Sequence, residues 1–253
     1  MAATEVAELS IYFFRQGRSA QDALEMTRVA AESARVASID ATESANYLTS
    51  AINGFELAAS DAENVADRFA KLGAASASSY DELARAMSKV APSAKSSGVD
   101  IDHMMGFLAK GIETTREAPQ NIGTAFKTIF ARMQELSDFS KTLEDGVNVN
   151  RVEKALGTVG VELRNTMGIF RPAQEIIMDL GEKWDGLDRN MQSYLATIMA
   201  GIRQQPRLLA LMNNFTRTQE LVTKSQSAAG EMAIQHASYL EGLEGSVQRL
   251  RNA

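Results

Sequence analysis

The sequence predicts an all-α fold, a compact bundle of short helical hairpins with a longer helix at its C-terminal end. Hydrophobic residues make up 45% of the 253 residues and aromatic residues only 6%, a composition typical of a globular chain. Alanine is abundant and there are only 4 prolines, the residues least and most costly inside a helix. Apolar residues recur at spacings of three and four, as they do on the buried face of a helix.

The helices are placed by their apolar periodicity and by capping residues. Ser60-Asp61-Ala62-Glu63 and Ser79-Tyr80-Asp81-Glu82 are capping-box patterns, and glycines such as Gly73 and Gly98 are read as helix ends. Aspartates predict three further starts, at Asp40, Asp100 and Asp188. The predicted helical segments, which merge into about nine or ten helices, are 3–15, 20–37, 41–57, 61–72, 80–96, 101–113, 119–138, 151–157, 172–184, 188–200, 203–226 and 230–251.

The clearest amphipathic face lies in the segment 119–138. Its apolar residues are Ile122, Ala125, Phe126, Ile129, Phe130, Met133 and Leu136. They form one stripe over about four turns, which predicts a face buried in the core. Trp184 follows Leu180 by one helical turn, and this spacing predicts a core position for the single tryptophan.

Two interruptions suggest how the chain is organised. Residues 139–150 have weak periodicity and an Asp-Gly turn signal, so we predict an N-terminal helical subdomain over 1–140, a linker over 141–150 and a C-terminal helical subdomain over 151–253. One continuous domain is the alternative. Only the stretch near 160–171 alternates as a strand does, which predicts a small β-hairpin there.

Charge and cysteine content argue against several functional classes. The net charge is −6, with 14 basic and 21 acidic side chains in residues 1–150 and 12 basic and 11 acidic in 151–253. We therefore expect no specific nucleic-acid binding. With 0 cysteines the chain has no disulfide and no thiolate ligand. Since no stretch approaches about 20 uninterrupted apolar residues, no membrane segment is predicted in this part.

The sequence offers little that resembles a catalytic, cofactor-binding or metal site. His103 and His236 lack a second ligand one turn away, so a capping and a packing role are expected. Glu113 and Glu117 lie one turn apart, as a pair of general acid and base could. No aromatic or polar cluster surrounds them, so a wall-degrading hydrolase ranks third among the functional hypotheses. We predict no enzyme activity and no cofactor.

The last helix carries a different pattern. Its apolar residues alternate at spacings of three and four, at Ala233, His236, Leu240, Leu243, Val247 and Leu250. This is the a/d pattern of a coiled coil rather than a broad globular face. We call the five residues from His236 onward the C-terminal seam and predict that it is a self-association surface. Two heptads are too short for strong association alone, so in this chain we expect the helix either to fold back on the bundle or to associate weakly.

The order of motifs along the chain resembles a known family. A small helix, a polar hairpin with glycines, an Arg-Pro helix start and a Gly-Ile-Arg-Gln corner follow one another in residues 152–215. Further matching motifs lie at 46–55, 80–84, 93–99 and 121–133. Together these motifs resemble the core region of the tail tape-measure proteins of long-tailed bacteriophages, the TP901 type, over most of residues 20–245.

The resemblance implies a structural role without a reaction. Such proteins determine tail-tube length during assembly, occupy the tail lumen and are released when the genome is ejected. It also implies production in the host bacterial cytoplasm, a homo-oligomer in the tail, and tail-tube protein, tail assembly chaperones and tail-tip proteins as partners. In such a protein we expect the last helix to lead into a multi-stranded shaft. A helical adaptor or scaffold unrelated to phage is the alternative.

Overall fold

The predicted all-α class is confirmed in a computed structural model, which describes residues 3–135 and 149–251. These residues form thirteen α-helices and two short 3₁₀ segments. The helices are α1 (Ala3–Arg15), α2 (Ala20–Ala37), α3 (Ala41–Phe55), α4 (Ala62–Ala75), α5 (Tyr80–Ser96), α6 (Ile101–Thr115), α7 (Pro119–Glu135), α8 (Val149–Thr158), α9 (Ala173–Lys183), α10 (Arg189–Ala200), α11 (Gln205–Met212), α12 (Phe215–Gln226) and α13 (Glu231–Arg251).

Local capping chemistry explains several of the helix starts. The Ser79 hydroxyl accepts from the Glu82 N–H, and the Glu82 carboxylate accepts in return from the Ser79 N–H at 2.8 Å, as in the predicted capping box. Asp40, Asp100 and Asp188 each accept backbone N–H groups of the first turn that follows them. These starts are therefore confirmed.

Three sequence predictions of helix boundaries are wrong, and each has a physical reason. The segment 203–226 is two helices, because Asn214 takes a left-handed conformation with φ of 59° between α11 and α12. Gly73 lies inside α4, where a Cβ atom would lie 2.9 Å from the Tyr80 backbone nitrogen. The Ser60 box is replaced by a 3₁₀ turn, in which Asp61 accepts from the Ala58 N–H and Glu63 pairs with Arg28.

The predicted hairpin near 160–171 is reduced to one antiparallel bridge between Arg164 and Phe170. The Asn165 side chain holds the tip, since its Oδ1 accepts from the N–H groups of Met167 and Ile169 at 3.0 Å each. Gly168 provides the left-handed turn with φ of 77°. No longer ladder forms within the described residues, so the segment is a tight loop rather than a sheet.

Helix α6 lies at the centre of the core. Its residues from Met104 to Ile112 are buried without a break, and it packs against α4, α5, α7, α11 and α12. The apolar face predicted on α7 is buried as well, from Ile122 to Met133, whereas Leu136 lies outside the described residues. One contiguous core contains residues from both predicted subdomains. The division itself stays a prediction, because most of 141–150 lies outside the described residues.

Candidate association surface

The C-terminal helix α13 begins on a buried acidic residue of another helix. Asp67 on α4 is 3% exposed, and its two carboxylate oxygens accept from the Gly230 N–H at 2.8 Å and the Met232 N–H at 2.7 Å. The first N–H groups of a helix have no partner within the helix, and the helix dipole favours a negative charge there. Asp67 therefore acts as the N-terminal cap of α13, although it is 163 residues away from Gly230 in sequence.

Two further polar contacts fasten the first turns of α13 to α4. Lys71 Nζ lies 2.9 Å from a Glu231 carboxylate oxygen, and Gln235 donates through Nε2 to the Ala70 carbonyl at 3.0 Å. The Glu231 pKa is lowered, chiefly by the hydrogen bond from Lys71. The apolar part of this contact is small, with Met232 as its fully buried residue at 1% exposure. We call this set of contacts the α4 anchor.

His236 marks the end of the anchored part. It is half-buried, and its Nε2 is enclosed without a hydrogen-bond partner among the described residues. The prediction of a packing role agrees with this burial. His236 also opens the C-terminal seam, so one residue belongs both to the docked face of α13 and to the predicted association surface.

Beyond His236 the helix leaves the body of the protein. Every residue from Ala237 to Glu244 is exposed. The seam residues Leu240 and Leu243 are 42% and 46% exposed, and the neighbouring Tyr239 is 38% exposed. The backbone of α13 continues to Arg251, but the side chains of Val247 and Leu250 lie outside the described residues.

The exposed apolar residues are a continuation of the docked face. At about 100° per residue, Tyr239 and Leu243 lie within roughly 20° of Met232 around the helix axis, and Leu240 lies about 80° from Met232, at the edge of this face. The stripe that is buried against α2 and α4 in the first turns thus runs on into solvent once α13 passes the body. Tyr239, Leu240 and Leu243 therefore leave an exposed apolar strip on this part of α13.

A family model described as phage-related minor tail protein matches residues 1–201. The match covers about four-fifths of the chain. The chain belongs to this family. No solved structure matches the chain.

Membership of this phage tail family carries several consequences. The tail protein has a structural role in the phage tail, is located in the virion and contacts other tail components. Helices α11, α12 and α13 follow the matched region, yet α11 and α12 complete the core around α6. Among the described residues of the tail protein, no helix combines the length and apolar character that crossing a membrane requires.

The two glutamates considered as an acid–base pair serve as ion-pair partners in the tail protein. Glu113 binds Arg217 of α12 with an N–O distance of 3.0 Å, and Glu117 binds Arg207 of α11 at 2.6 Å. The Glu113 pKa is lowered, first by the hydrogen bond from Arg217. These pairs fasten the C-terminal end of α6 to the helices that cover it. Within the described residues, no cluster of three or more His, Asp or Glu could hold a metal ion.

The corner after α10 is fastened by residues from other parts of the fold. Arg203 directly follows this helix end, but its side chain is exposed and makes no contact with the open carbonyls of α10 in the described chain. Arg132 of α7 donates to the Ile198 carbonyl at 3.0 Å, and Gln205 donates to the Ser193 carbonyl at 3.2 Å. The positive charge at this helix end therefore comes from a distant helix.

The seam stays a prediction from the sequence, and the α4 anchor is not predicted at all. Asp67 and Lys71 lie on α4 at positions i and i+4, a spacing common on any helix. Nothing local marks Asp67 as the cap of a helix far along the chain. The only available signal is the absence of an Asn, Asp, Ser or Thr immediately before α13, where Ala229-Gly230 stands instead.

Proposed function

We propose that this chain is a module of a tail tape-measure protein, which determines tail-tube length during assembly, occupies the tail lumen and is released at genome ejection. The family membership supports a tail role, and the order of motifs over residues 152–215 favours the tape-measure branch. The main structural support for this proposal is the exposed apolar stripe of α13. A compact helical body continues here into a helix whose apolar stripe runs past it into solvent.

The proposed partners are the tail-tube protein, the tail assembly chaperones, the tail-tip proteins and further copies of the same chain. Self-association would use the C-terminal seam, because its residues keep the a/d spacing of a coiled coil. As a straight helix, α13 is about 30 Å long at roughly 1.5 Å per residue. A shaft that continues this helix would extend along the lumen, while the body stays a folded unit upon it.

A role without catalysis fits the environment of the acidic residues. A general acid needs a pKa raised towards neutral pH, whereas the hydrogen bond from Arg217 lowers the Glu113 pKa. Glu117 is likewise in an ion pair, so neither carboxylate is free for proton transfer. The family match also goes against an adaptor unrelated to phage.

Tail length in phage particles is the direct test. A 28-residue helical insertion after Gly242 adds four heptads and keeps the seam in register, and Gly242 has no neighbour within 4 Å of a built Cβ. If the chain belongs to the tape, electron micrographs should show tail tubes about 42 Å longer, at roughly 1.5 Å per residue. The same 28 residues inserted at the exposed hairpin tip after Gly168 form the control and should leave the length unchanged. Tails of normal length with the α13 insertion would identify a different tail component.

A further inference from the structure

The α4 anchor and self-association use overlapping parts of α13. His236 is the first residue of the C-terminal seam, but it is half-buried against the body. A second helix that pairs along the seam from His236 onward would have to occupy space filled by α2 and α4, against which α13 packs. Pairing in the docked state is therefore restricted to Leu240 and the residues after it.

The contact between α13 and α4 has a large polar share, and α13 also packs against α2. The polar share consists of two backbone N–H groups bound by Asp67, one ion pair at Lys71 and one side-chain bond to the Ala70 carbonyl. Each of these α13 groups can be hydrated when the helix leaves α4, and among the α13 side chains that the structure describes Met232 is the one fully buried apolar residue. Contacts between units that separate are typically more polar than permanent cores.

We propose that the α4 anchor is a releasable latch: Asp67 holds the first turns of α13 on the body, and its opening exposes the whole C-terminal seam for pairing with a second copy of this chain. The inference rests on the proposed function, since it assigns control to the self-association surface named there. The latch sets how much of the seam is open, and the second copy competes with α4 for the region around His236.

Asp67→Asn is the variant that tests the latch. An amide has the shape of a carboxylate but only one oxygen, so its NH₂ group would face one of the two N–H groups that Asp67 now binds. Asp188→Asn is the matched control. A single Asp188 oxygen, Oδ1, accepts both N–H groups of α10, at 2.9 Å each, so an amide can preserve both bonds.

Hydrogen exchange of the α13 amides measures how readily α13 detaches from α4 in the absence of a second copy. At a concentration where the chain is monomeric, we expect the amides of residues 232–240 to exchange at least about tenfold faster in Asp67→Asn, a loss of about 1.4 kcal/mol of protection. The α5–α7 amides should keep wild-type rates, and Asp188→Asn should leave α13 unchanged. Unchanged α13 exchange in Asp67→Asn overturns the proposal. If that variant does not fold, Lys71→Met breaks the half-exposed ion pair instead and should raise α13 exchange in the same region.

Sedimentation across a concentration series then measures the self-association of wild type and of Asp67→Asn. Tighter self-association of Asp67→Asn than of wild type, together with faster α13 exchange, supports competition between α4 and a second copy. Faster exchange with association equal to a measurable wild-type value overturns the competition. If wild type and variant both stay monomeric while α13 exchange rises, Asp67 does fasten α13 to the body. The self-association part of the proposed function is then refuted.

Discussion

Gly106 allows α12 to cross α6 at the centre of the core, and its replacement by alanine tests this packing. A Cβ atom at this position would lie 2.5 Å from Val222 Cγ2 and 2.9 Å from the Val222 backbone nitrogen. The Val222 methyl can turn aside, but the backbone nitrogen moves only if α12 moves as a whole. Overpacking of this kind costs about 1–3 kcal/mol.

Helix propensity acts in the opposite direction. Alanine in place of a helical glycine stabilises by about 0.5–1 kcal/mol when its methyl group meets nothing. For Gly106→Ala the steric cost exceeds this gain, so we expect net destabilisation of about 1–2 kcal/mol. Gly157→Ala on α8 is the control, since a Cβ there has no neighbour within 4 Å. It should be neutral or stabilising by up to about 1 kcal/mol.

Urea unfolding followed by circular dichroism gives both free energies of unfolding. Val222→Ala alone and Gly106→Ala combined with Val222→Ala complete a double-mutant cycle. The double variant removes the 2.5 Å contact but keeps the 2.9 Å contact with the backbone. Its loss of stability should be smaller than the sum of the losses in Gly106→Ala and Val222→Ala, which shows coupling between the sites. If Gly106→Ala is as stable as wild type or more stable, α12 does not cross α6 at this point and the described core is wrong there.

Two further predictions concern the core and its charge. Phe126→Ala should reduce the free energy of unfolding by about 3–5 kcal/mol, because Phe126 is 1% exposed. Phe14 is 47% exposed, so the control Phe14→Ala should change it by less than about 0.5 kcal/mol. Equal losses of the two variants in urea titrations would contradict the burial of Phe126 in this core. Burial lowers the pKa of Lys110, so the unfolded chain binds more protons, and stability should rise with pH from that lowered pKa towards about 10. Lys110→Met should flatten this rise of stability with pH and stabilise the protein at pH 7 by on the order of 1 kcal/mol. If thermal scans of wild type and Lys110→Met show the same change of stability with pH, Lys110 is not the source of the rise.

Features of the fold that depend on neighbours in sequence could be predicted. Ser79 and Glu82 are three residues apart, so their reciprocal bonds are visible in the sequence, and the stripe on α7 repeats with the period of a helix. Trp184 was placed in the core by its spacing from Leu180, and it is 1% exposed. These predictions needed no knowledge of which helices pack together.

The features that were missed depend on distant partners. Gly73 looks like a helix end, but glycine is required there because the Tyr80 backbone comes close. The break at Asn214 is not predicted, since its left-handed conformation leaves only a weak compositional signal. The spacing of Glu113 and Glu117 gives no sign of their arginine partners, which are about 90 or more residues away. Contacts between residues this far apart in the sequence leave no periodic pattern from which they could be predicted.

The C-terminal seam shows both situations in one helix. Its a/d spacing is local and could be predicted, whereas the Asp67 cap that fixes where α13 begins is not. The two combine into one physical consequence. The first N–H groups of α13 are bound by the buried Asp67 carboxylate, so the body of the protein fixes where the helix begins. The apolar residues further along α13, such as Leu243, then lie in solvent beyond the body. Of the seam residues whose side chains are described, Leu240 and Leu243 are exposed beyond the body, whereas His236 is half-buried at the end of the α4 anchor.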